Sequence, residues 1–121
     1  YGGQGKQVRD VLHIDDVVAL LLKQCASTKA WDGRGYNVGG GNTVSTSLRE
    51  LTVVCQEVTG NTIAISSVAQ TSPMDIRSYI TDARRVARDY EWTPTRSVRD
   101  MVVDIHRWIV ADRTRLEPIL G

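Results

Sequence analysis

The sequence has few cysteines and no long hydrophobic run. Cys25 and Cys55 each stand alone in an apolar stretch that is typical of a helix, so neither metal-ligand spacing nor a redox pair is present. We therefore expect two buried free thiols and no metal. No apolar run approaches the roughly 20 residues that cross a bilayer, and no signal peptide is visible. These absences favour a cytoplasmic protein with no membrane partner.

An excess of one sign of charge is also lacking. Fifteen lysines and arginines stand against 14 acidic residues, and no basic run is concentrated in a way that would neutralise a phosphate backbone. Nucleic acid is therefore not an expected partner. With 121 residues, of which 41% are hydrophobic and 24% charged, the chain has the size and composition of one globular domain or part of one.

The pattern of a dinucleotide site is missing as well. Such a site needs Gly-x-Gly-x-x-Gly between a strand and a helix, so that the backbone can approach the pyrophosphate. Gly3, Gly33 and Gly39 each begin a Gly-x-Gly, but the third glycine is absent every time. Of the two histidines that could act as general bases, His106 lies on the edge of a predicted helix, where a structural role is expected. No catalytic residue is predicted in this chain.

What is present is an alternation of strands and helices, which predicts an α/β fold. Short β-prone runs predict strands at residues 7–13, 36–38 and 62–65, and residues 77–81 are expected to be extended. These strands make only a small sheet.

Four helices follow from capping signals and helical periodicity. Asp15 or Asp16 is predicted to cap a helix that ends near Ser27. The Ser47-x-x-Glu50 spacing is that of a capping box, and this helix is predicted to close at Gly60.

The two remaining helices lie in the last third of the chain. Asp82 is predicted to cap a short helix through Tyr90, and Ser97 to open a last helix. The residues predicted to be core are large and apolar: Val17, Leu20, Leu21, Leu48, Leu51 and Trp108.

A few polar groups are suited to holding an anion and a sugar. Arg9, on the first predicted strand, has the guanidinium geometry that matches phosphate oxygens. Asp75 could accept from ribose hydroxyls, and Arg77 could meet a phosphate. In isolation, each of these residues also fits an ordinary surface charge: Arg9 beside Asp10 could be a surface ion pair, and the other two could be solvated loop charges.

Three segments together resemble a known family. They are GKQVRDVLHIDDV from Gly5, YNVGGG from Tyr36 followed by SLREL from Ser47, and DIRSYITD from Asp75 followed by YEWTP from Tyr90. In order and spacing they are similar to the signature blocks of the extended short-chain dehydrogenase/reductases, the family of the NAD-dependent nucleotide-sugar epimerases and dehydratases. The resemblance runs from about residue 5 to residue 109.

The resemblance implies the carboxy-terminal fragment of an extended Rossmann-type fold. Residues 1–121 would be the nucleotide-sugar-binding portion, and NAD would be bound by an amino-terminal domain that is absent here. No tyrosine has a lysine four residues later, so the family's usual Tyr-x-x-x-Lys base is also absent. Such a fragment is expected to be inactive alone and to form a homo-oligomer that covers open strand edges.

Site residues follow from the resemblance by position. Arg9 matches the arginine that contacts the substrate diphosphate, and Asp75 matches the acid that meets the ribose. Arg77 and Asn42 are weaker matches to substrate-binding positions. Ser72 stands where many members have a second phosphate-binding arginine, which leaves the identity of the nucleotide open.

Within this family, the sequence of the first block is most similar to that of the CDP-paratose (CDP-tyvelose) 2-epimerases. The reaction that the resemblance implies for the longer enzyme is hydride-mediated epimerisation of a nucleotide-activated sugar. Two alternatives stay open: a dehydratase or decarboxylase of the same superfamily, and a non-catalytic binding module that retains the fold.

Overall fold

A computed structural model describes residues 2–27, 33–70 and 72–120 of the chain. In these ranges it contains three short strands, five α-helices and two short 3-10 helices. The strands are β1 (Val8–Asp10), β2 (Ser45–Ser47) and β3 (Ser78–Tyr79). The helices are α1 (Ile14–Ala26), α2 (Leu48–Thr59), α3 (Arg84–Tyr90), α4 (Val98–Ala111) and α5 (Arg113–Leu120). The α/β class predicted from the sequence is confirmed.

The three strands form one sheet with β1 in the middle. β2 lies antiparallel to β1, with Arg9 opposite Thr46, and β3 lies parallel to β1, with Arg9 opposite Tyr79. Because β1 is central, residues from distant parts of the chain meet around it. This placement decides where the candidate site lies.

The predicted strands are confirmed only around β1 and β3, and both are shorter than predicted. Residues 36–38 and 62–65 are not strands. A strand needs a hydrogen-bonded neighbour, and among the described residues neither segment has one in the sheet. Residues 62–65 are exposed, whereas a strand on a sheet would be half-buried.

The predicted capping box at Ser47 is confirmed, and the predicted helix start at Ser97 is a second capping box. The hydroxyls of Ser47 and Ser97 accept from the backbone N–H of Glu50 and Asp100, whose carboxylates accept in turn from the cap residues. α2 ends at Gly60, whose positive φ of 72° is the left-handed geometry that glycine adopts at low cost.

The predicted caps of α1 and α3 are wrong. The cap residue of α1 lies two or three positions earlier, at His13, because the His13 ring Nδ1 accepts from the Asp15 backbone N–H at 3.1 Å. α3 has Ala83 as its cap residue, although Asp82 Oδ1 accepts from the Arg84 N–H at 3.1 Å. The separate helix α5, which contains Pro118, was not predicted.

The core lies between α1, α3 and the turn that follows α3. Leu20, Val86 and Trp92 are buried there, and the partly buried residues around them are Leu12, Tyr36, Val38, Ala83 and Tyr90. The Trp92 indole N–H donates to the Asp16 carbonyl at 3.0 Å, which ties the turn to α1.

The predicted core is only partly correct. Leu20 is buried, and Val17 and Leu51 are half-buried, but Leu21, Leu48 and Trp108 are exposed. Cys25 is also exposed and Cys55 is half-buried, so the prediction of two buried thiols is wrong. Among the described residues, no helix is both long enough and apolar enough to cross a membrane.

Candidate functional site

Arg9 and Asp75, predicted as binding residues from separate motifs, meet at the side of the sheet. Arg9 Nη2 donates to Asp75 Oδ1 at 3.3 Å, and Arg9 Nη1 donates to the Val8 carbonyl at 2.8 Å. The side chains are 40% and 30% exposed, so a ligand from solvent can reach both. The pair therefore offers a cation and an anion at one accessible position.

Gln7 is a third member of this group that the sequence analysis missed. Its Nε2 donates to Asp75 Oδ2 at 2.8 Å and to the Gly2 carbonyl at 2.8 Å, and the residue is only 8% exposed. Gln7 and Arg9 are two positions apart along an extended segment, so their side chains emerge on one face. That spacing is the signal that could have found Gln7.

Asp10 lies on the opposite face of β1 from Arg9 and contacts the glycine turn. Its Oδ2 accepts from the Gly41 N–H at 3.1 Å, so it anchors the glycine turn at residues 39–41. Arg9 and Asp10 are therefore not the simple surface ion pair that their adjacency suggests. Alternation along β1 sends one toward Asp75 and the other toward the turn.

Arg77 lies next to this group, and Asn42 does not. Arg77 lines a cavity of about 290 Å³ together with Gly3, Lys6 and Gln7. Its carbonyl accepts from the Val8 N–H at 2.9 Å. The structure thus brings three of the four predicted binding residues, Arg9, Asp75 and Arg77, to the β1–β3 side.

Asn42 lines a different and larger cavity of about 690 Å³, formed mainly by residues 39–43, 80–84 and 92–94. In this cavity Arg84 pairs with Asp82 through two contacts, Nε to Oδ1 at 2.9 Å and Nη2 to Oδ2 at 2.6 Å. Hydrogen bonds from the Arg84 side chain and backbone lower the pKa of Asp82 to about 2. The Arg84 guanidinium is therefore already paired with the Asp82 carboxylate.

The glycine turn at residues 39–41 does not fit a dinucleotide. A pyrophosphate needs open space over the glycines and free backbone N–H groups. Here a Cβ at Gly39 would collide with Asp10 and Thr81, a Cβ at Gly40 would collide with the Val11 carbonyl, and the Gly41 N–H is already donated to Asp10. The tightness of this turn serves packing, so we derive no role for NAD at these residues.

His13 has a structural role at the start of α1. Because Nδ1 accepts from the Asp15 N–H, we assign the ring proton to Nε2, which donates to Asp104 Oδ2 at 3.2 Å. The ring therefore links α1 to α4. Within the described ranges, no group of three or more His, Cys, Asp or Glu residues could hold a metal ion.

The curated proteins that match the chain are epimerases and dehydratases of nucleotide sugars. The chain is 29% identical over 106 residues to CDP-paratose 2-epimerase of Salmonella typhi, covering 88% of this chain and 31% of that protein. It is 29% identical over 118 residues to dTDP-glucose 4,6-dehydratase of Streptomyces griseus, covering 98% of this chain and 35% of that protein. Over most of its length, the chain is therefore similar to nucleotide-sugar epimerases and dehydratases.

Solved epimerases share the fold of this chain. The chain superposes with a TM-score of 0.81 on an epimerase from Methanothermobacter thermautotrophicus, at 19% identity over 98% of this chain and 34% of that one. The TM-score is 0.76 for UDP-glucuronic acid 4-epimerase from Bacillus cereus, solved with UDP-glucuronic acid and NAD, at 20% identity over 91% and 34% of the two chains.

Two further facts bound the family assignment. No family model matches the chain. The chain spans about a third of the length of the relatives it matches. The similarity therefore identifies the fold of this chain, while its activity and substrate are proposals.

Proposed function

We propose that this chain is the nucleotide-sugar-binding portion of an NAD-dependent nucleotide-sugar epimerase, with CDP-paratose as the first substrate to test. The observation that carries the proposal is the meeting of Arg9 and Asp75 at one accessible position, although they are 66 residues apart in the chain. The match to CDP-paratose 2-epimerase supports the choice of substrate.

In this proposal Arg9 neutralises the substrate diphosphate. A guanidinium has five N–H donors, of which Arg9 uses one on Nη1 and one on Nη2 within the part of the chain that the structure describes. The others can face phosphate oxygens in the planar geometry that a guanidinium offers. Arg77 and Lys6, at the neighbouring cavity, would add positive charge on the same side.

Asp75 would accept hydrogen bonds from the two ribose hydroxyls. A carboxylate has about four acceptor positions, and the described contacts from Gln7 and Arg9 use one on each oxygen. One position on each oxygen is then left for a diol. Asn42, which lines the other cavity, would contact the substrate only if the sugar reaches residues 39–43.

The chemistry itself is proposed to lie outside this chain. NAD and the catalytic base would belong to an amino-terminal domain of a longer enzyme, so this portion alone would bind and not turn over. Several neighbours in the family were solved with NAD, which supports NAD as the cofactor of the longer enzyme. A cytoplasmic location for that enzyme fits the two free cysteines.

Calorimetric titration of the chain with CDP, UDP and dTDP tests the binding proposal. Arg9→Ala is expected to weaken binding about tenfold or more, because a charge-assisted contact to phosphate is lost. Arg113→Ala is the matched control, since Arg113 lies far along the chain in α5 and is exposed. No binding of any nucleoside diphosphate by the parent chain would overturn the proposal.

A dehydratase is the second candidate, because dTDP-glucose 4,6-dehydratases match up to 98% of this chain. The two reactions are separated by assaying the longer enzyme with CDP-paratose, UDP-glucose and dTDP-glucose. Inversion at a sugar carbon identifies an epimerase, and loss of water identifies a dehydratase. Absence of turnover and of binding with all three would instead identify a non-catalytic module.

We also propose that the protein is a homo-oligomer. In the described sheet, β2 and β3 each pair with β1 along one edge and with no strand along the other edge. One face of α1 exposes several large apolar side chains, namely Ile14, Val18, Leu21 and Leu22. Covering such a face stabilises a complex through burial of apolar surface. Light scattering is expected to give at least a dimer, and a stable monomer at high concentration would contradict this.

A further inference from the structure

We propose that Gln7 is a positioning residue that holds the Asp75 carboxylate in the orientation needed for binding. This inference rests on the function proposed above, because it explains how one of the proposed contacts with the nucleotide is kept in place. Gln7 itself is buried and does not need to touch the ligand.

The orientation of the Gln7 amide is set by its two acceptors. Nε2 lies 2.8 Å from the Gly2 carbonyl oxygen and 2.8 Å from Asp75 Oδ2, and both partners can only accept. The reversed amide would place Oε1 against two oxygens. In the observed orientation Oε1 is buried and has no partner among the described residues. An unsatisfied buried acceptor costs about 1–3 kcal/mol, so this amide is a poor choice for stability alone.

The two donors on Asp75 differ in their surroundings. Gln7 contacts Oδ2 from the buried side at 2.8 Å, whereas Arg9 contacts Oδ1 at 3.3 Å and is 40% exposed. An exposed ion pair is weak and screened by solvent. Without Gln7, the longer, exposed contact from Arg9 would be the one side-chain hydrogen bond left to the carboxylate among the described residues, and the carboxylate would be free to rotate.

Gln7 is well placed for this task because its backbone is fixed independently of its side chain. The Gln7 carbonyl accepts from the Leu48 N–H at 3.2 Å, where α2 begins. The next residue, Val8, donates its N–H to the Arg77 carbonyl at 2.9 Å. Substituting the Gln7 side chain should therefore leave β1 in place and change mainly the freedom of Asp75.

The first test measures the side-chain rotamer of Asp75 in the chain without ligand. Three-bond couplings from the backbone nitrogen and carbonyl carbon to Asp75 Cγ are expected to report one rotamer in the parent. They are expected to report an average of rotamers in Gln7→Leu. Gln70→Leu, at an exposed position, is the matched control and should keep the parent couplings. A single rotamer in Gln7→Leu would overturn the inference.

A second variant guards against loss of the fold. Gln7→Glu keeps the length and shape of the side chain but sets a carboxylate against Asp75, so it too should average the rotamer. A circular dichroism spectrum and thermal transition like those of the parent establish that either variant is folded. Parent couplings in a folded Gln7→Glu variant would also overturn the inference.

The binding test is a double-mutant cycle with CDP and UDP as probes. Gln7→Leu is expected to weaken binding about tenfold in the parent, and less than twofold in the Asp75→Ala background. Equal losses in the two backgrounds would show that Gln7 does not act through Asp75, and would overturn the inference. Failure of the parent to bind either probe would overturn the proposed function instead, and the rotamer measurement would still decide the role of Gln7.

Discussion

The buried carboxylate of Asp16 holds the segment after α3 through Thr95. Thr95 Oγ1 donates to Asp16 Oδ1 at 2.8 Å, and the Thr95 N–H donates to Oδ2 at 3.2 Å. Arg96 adds its N–H at 3.1 Å and its Nη1 at 3.1 Å. With Asp16 only 2% exposed, four donors replace the water that burial removes. This cluster joins α1 to the start of α4.

The first prediction is that Asp16→Asn lowers the free energy of unfolding by about 3 kcal/mol, because buried donors would lose a charged partner. Urea denaturation at pH 7 measures the change. Asp15→Asn is the matched control: Asp15 is exposed, and its loss should cost less than about 1 kcal/mol. Equal losses of unfolding free energy in the two variants would show that the buried Asp16 carboxylate contributes no more to stability than the exposed Asp15 carboxylate.

The second prediction concerns pH. Burial raises the pKa of Asp16, but the hydrogen bonds from Thr95 and Arg96 outweigh burial, and the pKa lies below its ordinary value. The folded protein thus binds fewer protons at this site than the unfolded chain does. The stabilisation is complete above the unfolded pKa of about 3.9 and is lost as pH falls through the folded pKa. Urea titrations between pH 7 and pH 2 should show the difference between the parent and Asp16→Asn shrinking only below about pH 4.

The third prediction compares two leucines on α1. Leu20 is 2% exposed within the core, whereas Leu22 is 65% exposed. Leu20→Ala should lower the free energy of unfolding by about 3 kcal/mol, since both transfer energy and packing are lost. Leu22→Ala should change it by less than about 0.5 kcal/mol in the monomer. Chemical denaturation at low protein concentration checks this, and similar losses for the two would contradict the placement of the core.

The fourth prediction uses the two capping boxes as controls for each other. Hydrogen bonds from Ser47 lower the pKa of Glu50, and hydrogen bonds from Ser97 lower the pKa of Asp100. Ser47→Ala should raise the pKa of Glu50 and leave that of Asp100 unchanged, and Ser97→Ala should do the reverse. Titration of the side-chain carboxyl carbons by NMR measures both. A shift of both groups in one variant would point to a global change.

The fifth prediction concerns the glycine turn. A Cβ at Gly40 would collide with the Val11 carbonyl oxygen, a backbone atom that cannot move away as the end of a flexible side chain could. Gly40→Ala should therefore cost about 2–3 kcal/mol of stability. At Gly35 nothing lies within 4 Å of an added Cβ, so Gly35→Ala should stay within about 1 kcal/mol of the parent. Thermal unfolding of both variants decides between a packed turn and an open one.

Local features of the fold were predictable because they depend on residues three or four positions apart. The capping box at Ser47, the helix start at Ser97 and the stop at Gly60 are of this kind. The cap of α1 was mispredicted because two aspartates with good capping propensity follow a histidine that accepts the N–H first. α5 was missed because its apolar periodicity is weak and it contains Pro118.

The strands at residues 36–38 and 62–65 were mispredicted for a different reason. β-propensity describes a side chain that fits a pleated surface, but a strand exists only where a neighbouring strand supplies hydrogen bonds. Within the described ranges these segments have no such neighbour in the sheet. Sequence pattern alone could not reveal this.

The sequence by itself determined the α/β class, the resemblance to nucleotide-sugar epimerases and dehydratases, and the choice of Arg9, Asp75 and Arg77 as candidates, because these depend on motifs along the chain. Only the tertiary structure decided that Arg9 meets Asp75, that Gln7 joins them and that Asn42 lies elsewhere. Arg9 and Asp75 are 66 residues apart, and their meeting depends on β3 pairing with β1. Such pairing is a long-range property that no local pattern specifies.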